Sequence, residues 1–140
     1  MNRLIVIDAN ILIRGILGEH VPQLLERYSD QVRFFTARVC YKEVRRHLPA
    51  ILEKREVEPE PFLKAVDLLE TVVVPLDEEI YGAFEARAKQ RIAARDKQDW
   101  PLLALALALD CPVWTEDNDF FGTGVVTWHS QNVEIYLEGN

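Results

Sequence analysis

The first apolar segment of the chain constrains its fold more than any other feature. Leu4–Ile7 is a continuous apolar run that ends at Asp8. A strand that is apolar on both faces is typical of a parallel sheet covered by helices on both sides. The 140 residues are 49% hydrophobic and 28% charged, which is ordinary globular usage and excludes a disordered chain.

Strand and helix patterns alternate along the rest of the chain. Further strands are predicted at residues 32–35, 71–74, 112–115 and 124–128. Helices are predicted at residues 10–17, 22–28, 40–52, 62–70, 77–94, 102–109 and 130–137. Thr36 is a possible helix cap, Pro49 is expected to kink or break the third helix, and residues 56–61 read as a polar connection. This alternation predicts an α/β fold, a three-layer α/β/α sandwich with a mainly parallel central sheet.

Acidic residues cluster at the ends of the predicted strands and the starts of the helices that follow. Six carboxylates share this placement: Asp8, Glu43, Asp96, Asp99, Asp117 and Asp119. In parallel α/β sheets, ligands bind outside the carboxyl ends of the strands, so these groups are expected to converge. Converging carboxylates repel one another unless a cation lies between them, and oxygen ligands favour Mg²⁺ or Mn²⁺. Such a cation can activate water and clamp a phosphodiester.

Each acid also has an ordinary structural interpretation. Asp8 and Asp99 are well placed to cap the helices that follow them. Glu43 stands one position off an apolar stripe, which is typical of a solvated helix charge. Turn chemistry is enough to account for Asp117 and Asp119. The joint placement of these acids therefore carries the prediction, and no single one decides it.

Four segments in this order resemble a PIN domain: LIVIDANIL (4–12), YKEV (41–44), DWPLLALALALDCPVWTED (99–117) and DF (119–120). The family includes the nuclease toxins of type II toxin–antitoxin pairs. The resemblance implies a single PIN-like domain over residues 1–140 that cleaves single-stranded RNA with Mg²⁺ or Mn²⁺. It also implies a homodimer that an antitoxin protein blocks.

Carried over by position, the resemblance implies four catalytic acids: Asp8, Glu43, Asp99 and Asp117. It implies three of them as metal ligands: Asp8, Asp99 and Asp117. Four further residues are candidates for the same site: Asn10 and Thr115 as supporting groups, and Asp96 and Asp119 as additional acids. Asp99 is preferred to Asp96 as the third acid because it stands five residues before Ala104, although the RDKQDW segment keeps Asp96 as the alternative.

The net charge of -7 excludes binding of nucleic acid through bulk positive charge. Two local basic groups remain candidates for contacts to RNA phosphates, and solvated helix faces are the alternative: Arg33, Arg38, Lys42, Arg45 and Arg46, and Arg87, Lys89, Arg91, Arg95 and Lys97. Trp100 is the one tryptophan considered for substrate contact. Two cysteines without a CxxC motif favour a reducing, cytoplasmic setting, and the apolar runs are far shorter than the ~20 residues that span a membrane.

Other functions compete with the nuclease. A haloacid-dehalogenase-like enzyme would have a second aspartate where Asn10 stands, and a receiver domain would have an acid pair that the sequence lacks. An inactive interaction module and a PIN nuclease of RNA processing without an antitoxin stay open. For the homodimer, residues 62–70 and 48–52 are the expected contacts. The expected inhibitor places Arg or Lys in the acid site and a helix near residues 12–17.

Overall fold

The central sheet is entirely parallel and has five strands. A computed structural model describes residues 2–93 and 97–139. The strands are β1 (Arg3–Ile7), β2 (Val32–Ala37), β3 (Val73–Leu76), β4 (Val113–Trp114) and β5 (Thr127–Trp128). They lie in the order β3-β2-β1-β4-β5. The predicted α/β fold with a parallel central sheet is therefore confirmed.

Helices connect and cover the strands. The described residues form α1 (Ala9–Leu17), α2 (His20–Arg27), α3 (Arg38–Lys54), α4 (Pro59–Val72), α5 (Glu78–Tyr81), α6 (Glu85–Arg91), α7 (Trp100–Leu109) and α8 (Val133–Glu138). Short 3₁₀ turns occupy Gly82–Phe84, Lys97–Asp99 and Asn118–Phe120. Helix α1 packs on α2, α3 and α4, whereas α7 packs on α5, α6 and the two central strands β1 and β2.

Helix α7 and strand β1 form the centre of the core. Residues Leu102–Ala106 are all buried, and Ile5, Val6 and Ile7 are at most 1% exposed. A helix that is apolar on every side is stable only when it is surrounded by protein, which is what α7 shows. No helix in the described ranges is long and apolar enough to cross a membrane.

The predicted cap at Thr36 is wrong, and helix α3 is not broken at Pro49. Thr36 does not cap a helix but lies within β2, where its hydroxyl donates a 2.6 Å hydrogen bond to the carbonyl of Ile7. Helix α3 continues through Pro49 without a break. Proline removes one helical hydrogen bond, but Leu48 and Leu52 on either side are fully buried, and their packing holds the helix together.

The predicted boundaries after α3 also differ from the structure. Helix α4 begins at Pro59 inside the predicted polar connection, because proline suits the first turn of a helix. It continues to Val72, so β3 begins two residues later than the predicted strand at 71–74. The predicted helix at 77–94 is interrupted by the 3₁₀ turn at Gly82–Phe84, and its end at Ala94 lies outside the described residues.

The two segments expected to form the dimer contact differ in how much apolar surface they expose. Leu48 and Leu52 are buried in the chain's own core, but Pro49 and Ala50 between them are exposed, so a contact at 48–52 stays a prediction. Leu68 in the other segment is 70% exposed, and Val72 beyond it is 42% exposed. Segment 62–70 therefore exposes a large apolar side chain, whereas segment 48–52 exposes none.

Candidate active site

A cleft opens at the carboxyl ends of β1 and β4. The strand order changes direction between these two strands, which is where α/β folds form their binding crevices. The cleft has a volume of about 220 Å³. Its polar lining consists of Asp8, Asn10, Cys40, Glu43, Gln98, Asp99 and Asp117. Among the described lining residues of this acid cleft there is no Lys, Arg or His.

Asp8 is fixed at the floor of the cleft by three hydrogen bonds to two segments of the chain. It follows β1 directly, and its backbone N–H donates to the carbonyl of Trp114 at 3.2 Å, which ties it to β4. Its Oδ1 accepts from the N–H of Ile11 at 3.0 Å, so it also caps α1. Its Oδ2 accepts from the Thr115 hydroxyl. The capping interpretation is therefore correct and does not exclude another role, because the carboxylate still borders the cleft.

Thr115 links the acids of two neighbouring strands. It is fully buried just beyond β4. Its hydroxyl donates to Asp8 and accepts from the N–H of Asp117 at 2.9 Å. The Asp117 Oδ1 in turn accepts from the N–H of Asp119 at 2.9 Å, which caps the 3₁₀ turn at Asn118–Phe120. One hydroxyl thus fixes the spacing between Asp8 and Asp117.

Three half-buried carboxylates lie close enough to share an ion. Oxygens of Asp99, Asp117 and Asp119 all lie within 4.8 Å of one another. Asp99 directly precedes α7 but its side chain does not cap that helix. The sequence ranked Asp119 below the other two, yet the structure places it in the same group. Asp8 lies near enough to this group for the negative charge of Asp117 to raise its pKa.

Burial raises the pKa of Asp8 from 3.8 to about 6. The hydrogen bonds from Thr115 and Ile11 lower this pKa, and the neighbouring charge of Asp117 raises it further. The ionised form of Asp8 is therefore disfavoured in the isolated chain. A divalent cation among these oxygens would reverse that penalty, so the donor set and its electrostatics fit a hard metal ion.

A family model described as PIN domain matches residues 6–138 of this chain. The chain belongs to the PIN domain family. This is a family of nucleases, so membership implies a hydrolase that acts on nucleic acid and uses divalent metal. The resemblance drawn from the four sequence segments is confirmed.

A solved structure shows the same fold. One of its chains superposes on this PIN domain with a TM-score of 0.66 at 13% sequence identity. The match covers 90% of this chain and 98% of the other. It comes from the crystal structure of VapBC2 from Rickettsia felis bound to a DNA fragment from their promoter. No curated protein matches the chain by sequence.

The remaining predicted site residues fall into two groups. Glu43 on α3 and Asn10 on α1 are exposed and line the acid cleft of the PIN domain. Asp96 lies outside the described residues. The sequence analysis missed Cys40 and Gln98 as lining residues; Gln98 directly precedes Asp99, which was the available signal. Burial raises the pKa of the Cys40 thiol to about 12, so it stays protonated and is a poor nucleophile.

The structure divides the basic candidates by their partners. Arg38 pairs with Asp77, and Arg45 pairs with Asp67 and Glu70. Several of these side chains therefore have the solvated, paired role that was the alternative interpretation. Arg95 lies outside the described residues.

The three tryptophans differ in burial and in contacts. Trp100 is partly exposed, with Tyr81 against its ring at 5.8 Å and the Lys89 Nζ 5.2 Å from its centre. Trp114 is fully buried and donates to the Ser130 hydroxyl at 3.0 Å, as expected for a core residue.

Proposed function

We propose that this PIN domain is a Mg²⁺- or Mn²⁺-dependent endoribonuclease of single-stranded RNA. We propose further that it is the toxin of a toxin–antitoxin pair acting in the cytoplasm as a single domain over residues 1–140. The observation that carries the proposal is the convergence of the carboxylates of Asp8, Asp99 and Asp117, with Glu43 nearby, on one cleft.

The metal ligands we propose are Asp8, Asp99 and Asp117, with Asp119 as an adjacent oxygen donor. When bound, the cation supplies a Lewis acid that activates water and offsets phosphate charge. The hydrogen bonds that Asp8 accepts from Ile11 and Thr115 hold its carboxylate in one orientation. A ligand held in this way loses little conformational entropy on binding, and Thr115 acts as the supporting group.

The residues of the cleft favour direct hydrolysis. Glu43 is exposed at the rim, where its carboxylate can accept the proton of the attacking water. Cys40 is held as a neutral thiol, and the described lining contains no Ser or His to form a covalent intermediate. Attack by water on phosphorus leaves a 5′-phosphate and a 3′-hydroxyl, and the 2′-hydroxyl takes no part.

Product analysis tests this chemistry. A single-stranded RNA is incubated with the protein and Mg²⁺ or Mn²⁺, and the fragment ends are identified by mass spectrometry. We expect 5′-phosphate and 3′-hydroxyl ends, and no cleavage in EDTA. A 2′,3′-cyclic phosphate would show that the 2′-hydroxyl is the nucleophile and contradict the mechanism. Absence of cleavage with either metal would favour the inactive interaction module.

An antitoxin is the protein partner we propose. The likeness to a chain of the VapBC2 complex supports it, together with two surfaces of this chain. The acid cleft suits an inserted Arg or Lys that pairs with Asp8 or Asp99 and excludes the metal. An apolar groove of about 400 Å³ lies between α1, α2 and α4, and we propose it as the seat of an antitoxin helix. This apolar groove is lined mainly by Gly15, Pro22, Leu25, Ala65, Leu68, Leu69 and Val72.

Growth in a host cell tests the toxin proposal. Expression of the chain alone should slow growth, and Asp99→Ala should remove the effect while the fold persists. An antitoxin gene, if encoded beside this one, should restore growth when it is co-expressed. A folded Asp99→Ala chain that is equally toxic would separate toxicity from this site. A harmless wild type would favour the nuclease of RNA processing without an antitoxin.

The chain alone is proposed to form a homodimer through α4. The exposed Leu68 is the residue that supports this, because an apolar side chain in water is stabilised by a second copy. Light scattering at micromolar concentration should give twice 16.2 kDa. A particle of 16.2 kDa would exclude the dimer at that concentration.

A further inference from the structure

A second groove opens directly beside the acid cleft. It has a volume of about 680 Å³ and shares Val39, Glu43, Gln98 and Pro101 with the cleft lining. Two cations, Lys42 and Arg46, and the ring of Trp100 complete its lining. The two depressions are therefore continuous, with Glu43 at the boundary between them.

The two cations of this groove differ from Arg38 and Arg45 on the same helix. Arg38 and Arg45 stand seven residues apart, and acids of β3–α5 and α4 neutralise them. Lys42 and Arg46 stand one helical turn apart and are exposed. Neither forms an ion pair with any residue in the ranges 2–93 and 97–139, although Arg46 Nη2 lies 3.4 Å from His47 Nε2.

The two cations lie beside a negatively charged site on a negatively charged chain. The chain carries a net charge of -7, and the cleft next to the groove is lined by carboxylates. Unneutralised positive charge at the mouth of a negative cleft attracts a polyanion that must approach the carboxylates. Trp100 and Pro101 supply an apolar wall of the kind on which sugars and bases pack in grooves for single strands.

We propose that the groove formed by Lys42, Arg46, Trp100 and Pro101 is the track that holds the backbone of single-stranded RNA beside the acid cleft. Lys42 and Arg46 bind phosphates of nucleotides next to the one that is cleaved. These contacts position the strand and carry no sequence information. The inference rests on the proposed function, since it assigns the path by which the substrate of that site enters.

The test is binding of a 12-nucleotide, mixed-sequence single-stranded RNA with a 3′ fluorescein label, followed by fluorescence anisotropy in EDTA from 50 to 200 mM KCl. EDTA leaves the acid cleft repulsive, so the attraction of the groove is measured separately. The variant Lys42→Gln/Arg46→Gln should reduce the slope of log affinity against log salt by about 1.4, or about 0.7 per lost phosphate contact. Both side chains are exposed, so folding is expected to be unaffected.

The matched control is Lys54→Gln/Lys64→Gln, which removes the same charge from exposed positions outside the groove. It should leave the slope at the wild-type value. An equal loss of slope in both double variants would show a general charge effect and overturn the proposal. Absence of RNA binding by the wild type would also overturn it.

Cleavage kinetics separate this proposal from the proposed function. In Mg²⁺ or Mn²⁺, the groove variant should raise KM about tenfold and leave kcat within twofold of wild type. If the groove variant has the KM and the salt slope of the wild type, the proposed RNA track is wrong and the proposed nuclease activity is unaffected. If the groove variant has a reduced salt slope but the wild type does not cleave RNA, the proposed nuclease activity is wrong and the proposed RNA track is supported.

Discussion

The acid cleft and the apolar groove are opposite kinds of surface on one small chain. The cleft gathers carboxylates with no basic residue in its described lining, and burial disfavours the charge on Asp8. The apolar groove exposes hydrocarbon to water, with Leu68 70% exposed. Each is unfavourable for the isolated chain, and each is relieved by a different ligand. A cation or an inserted base suits the first, and an apolar helix suits the second.

The difference teaches how binding at each surface should respond to conditions. Electrostatic repulsion in the cleft depends on pH and on divalent ions. Burial of apolar surface in the groove depends on neither to first order. Paired substitutions, one in each region, can therefore separate chemistry from partner binding.

The largest effect is expected from loss of a carboxylate in the cleft. Asp99→Ala should reduce RNA cleavage by about 10³-fold, equivalent to about 4 kcal/mol of transition-state stabilisation. Leu68→Ser in the apolar groove should cleave at the wild-type rate. Initial rates on labelled RNA measure both, with circular dichroism as the check on folding. Retention of more than a tenth of the activity by Asp99→Ala would exclude it as an essential group.

The pH dependence of stability should distinguish the two regions next. Because the folded pKa of Asp8 is raised, the native state holds this proton at pH values where the unfolded state has lost it. Stability from this group is therefore greatest below pH 4 and is lost as the pH rises to about 6. The pKa change from 3.8 to about 6 corresponds to about 3 kcal/mol.

Asp8→Asn removes this titration and serves as the probe. In EDTA, its free energy of unfolding relative to wild type should increase by about 3 kcal/mol between pH 4 and pH 7. Urea titrations at each pH measure the difference. Leu68→Ser should show a constant difference across the same range. A flat profile for Asp8→Asn would mean that Asp8 is not destabilised by its burial.

Metal should stabilise the cleft and leave the groove unaffected. At one hundred times its Kd, Mg²⁺ or Mn²⁺ should stabilise the fold by about 2.7 kcal/mol, or roughly 8 °C in Tm. Asp8→Asn should lose most of this increase, and Leu68→Ser should keep all of it. Thermal unfolding with and without metal is the measurement. Equal increases in wild type and Asp8→Asn would place the ion elsewhere.

The smallest effect is expected in the apolar groove. Leu68→Ser should weaken binding of the antitoxin by about 2 kcal/mol, or about 30-fold in Kd, because a central apolar contact is lost. Isothermal titration calorimetry with a purified antitoxin measures it. Lys64→Ser, one turn earlier on α4, is the control. An unchanged Kd for Leu68→Ser would mean that the helix binds elsewhere.

The predictable part of the fold is the part decided by local pattern. The apolar runs of β1 and α7 predict that both elements are buried, and the alternation of strands and helices predicts a parallel sheet. Edges and junctions depend on packing that the sequence does not display. Pro75 is accepted in β3 because that strand lies at the edge of the sheet, where a missing N–H costs little.

The candidate site divides in the same way. The acids could be predicted because they stand close to the end of a strand or in the first two turns of a helix. Asp119 could be predicted only as an additional acid, because its approach to Asp99 depends on how the turn at Asn118–Phe120 folds. The hydroxyl of Thr36 was misread because only the pairing of β1 with β2 brings the Ile7 carbonyl within its reach.

The bridge from Thr115 to Asp8 has a consequence for how the protein is made. The two residues are 107 positions apart, and Thr115 directly follows β4, which lies beside β1 in the sheet but comes after β2 and β3 in the chain. During synthesis on the ribosome, Asp8 is made early, and Thr115 is made only after most of the chain has followed. The cleft is therefore incomplete in every nascent chain that has not yet reached Thr115.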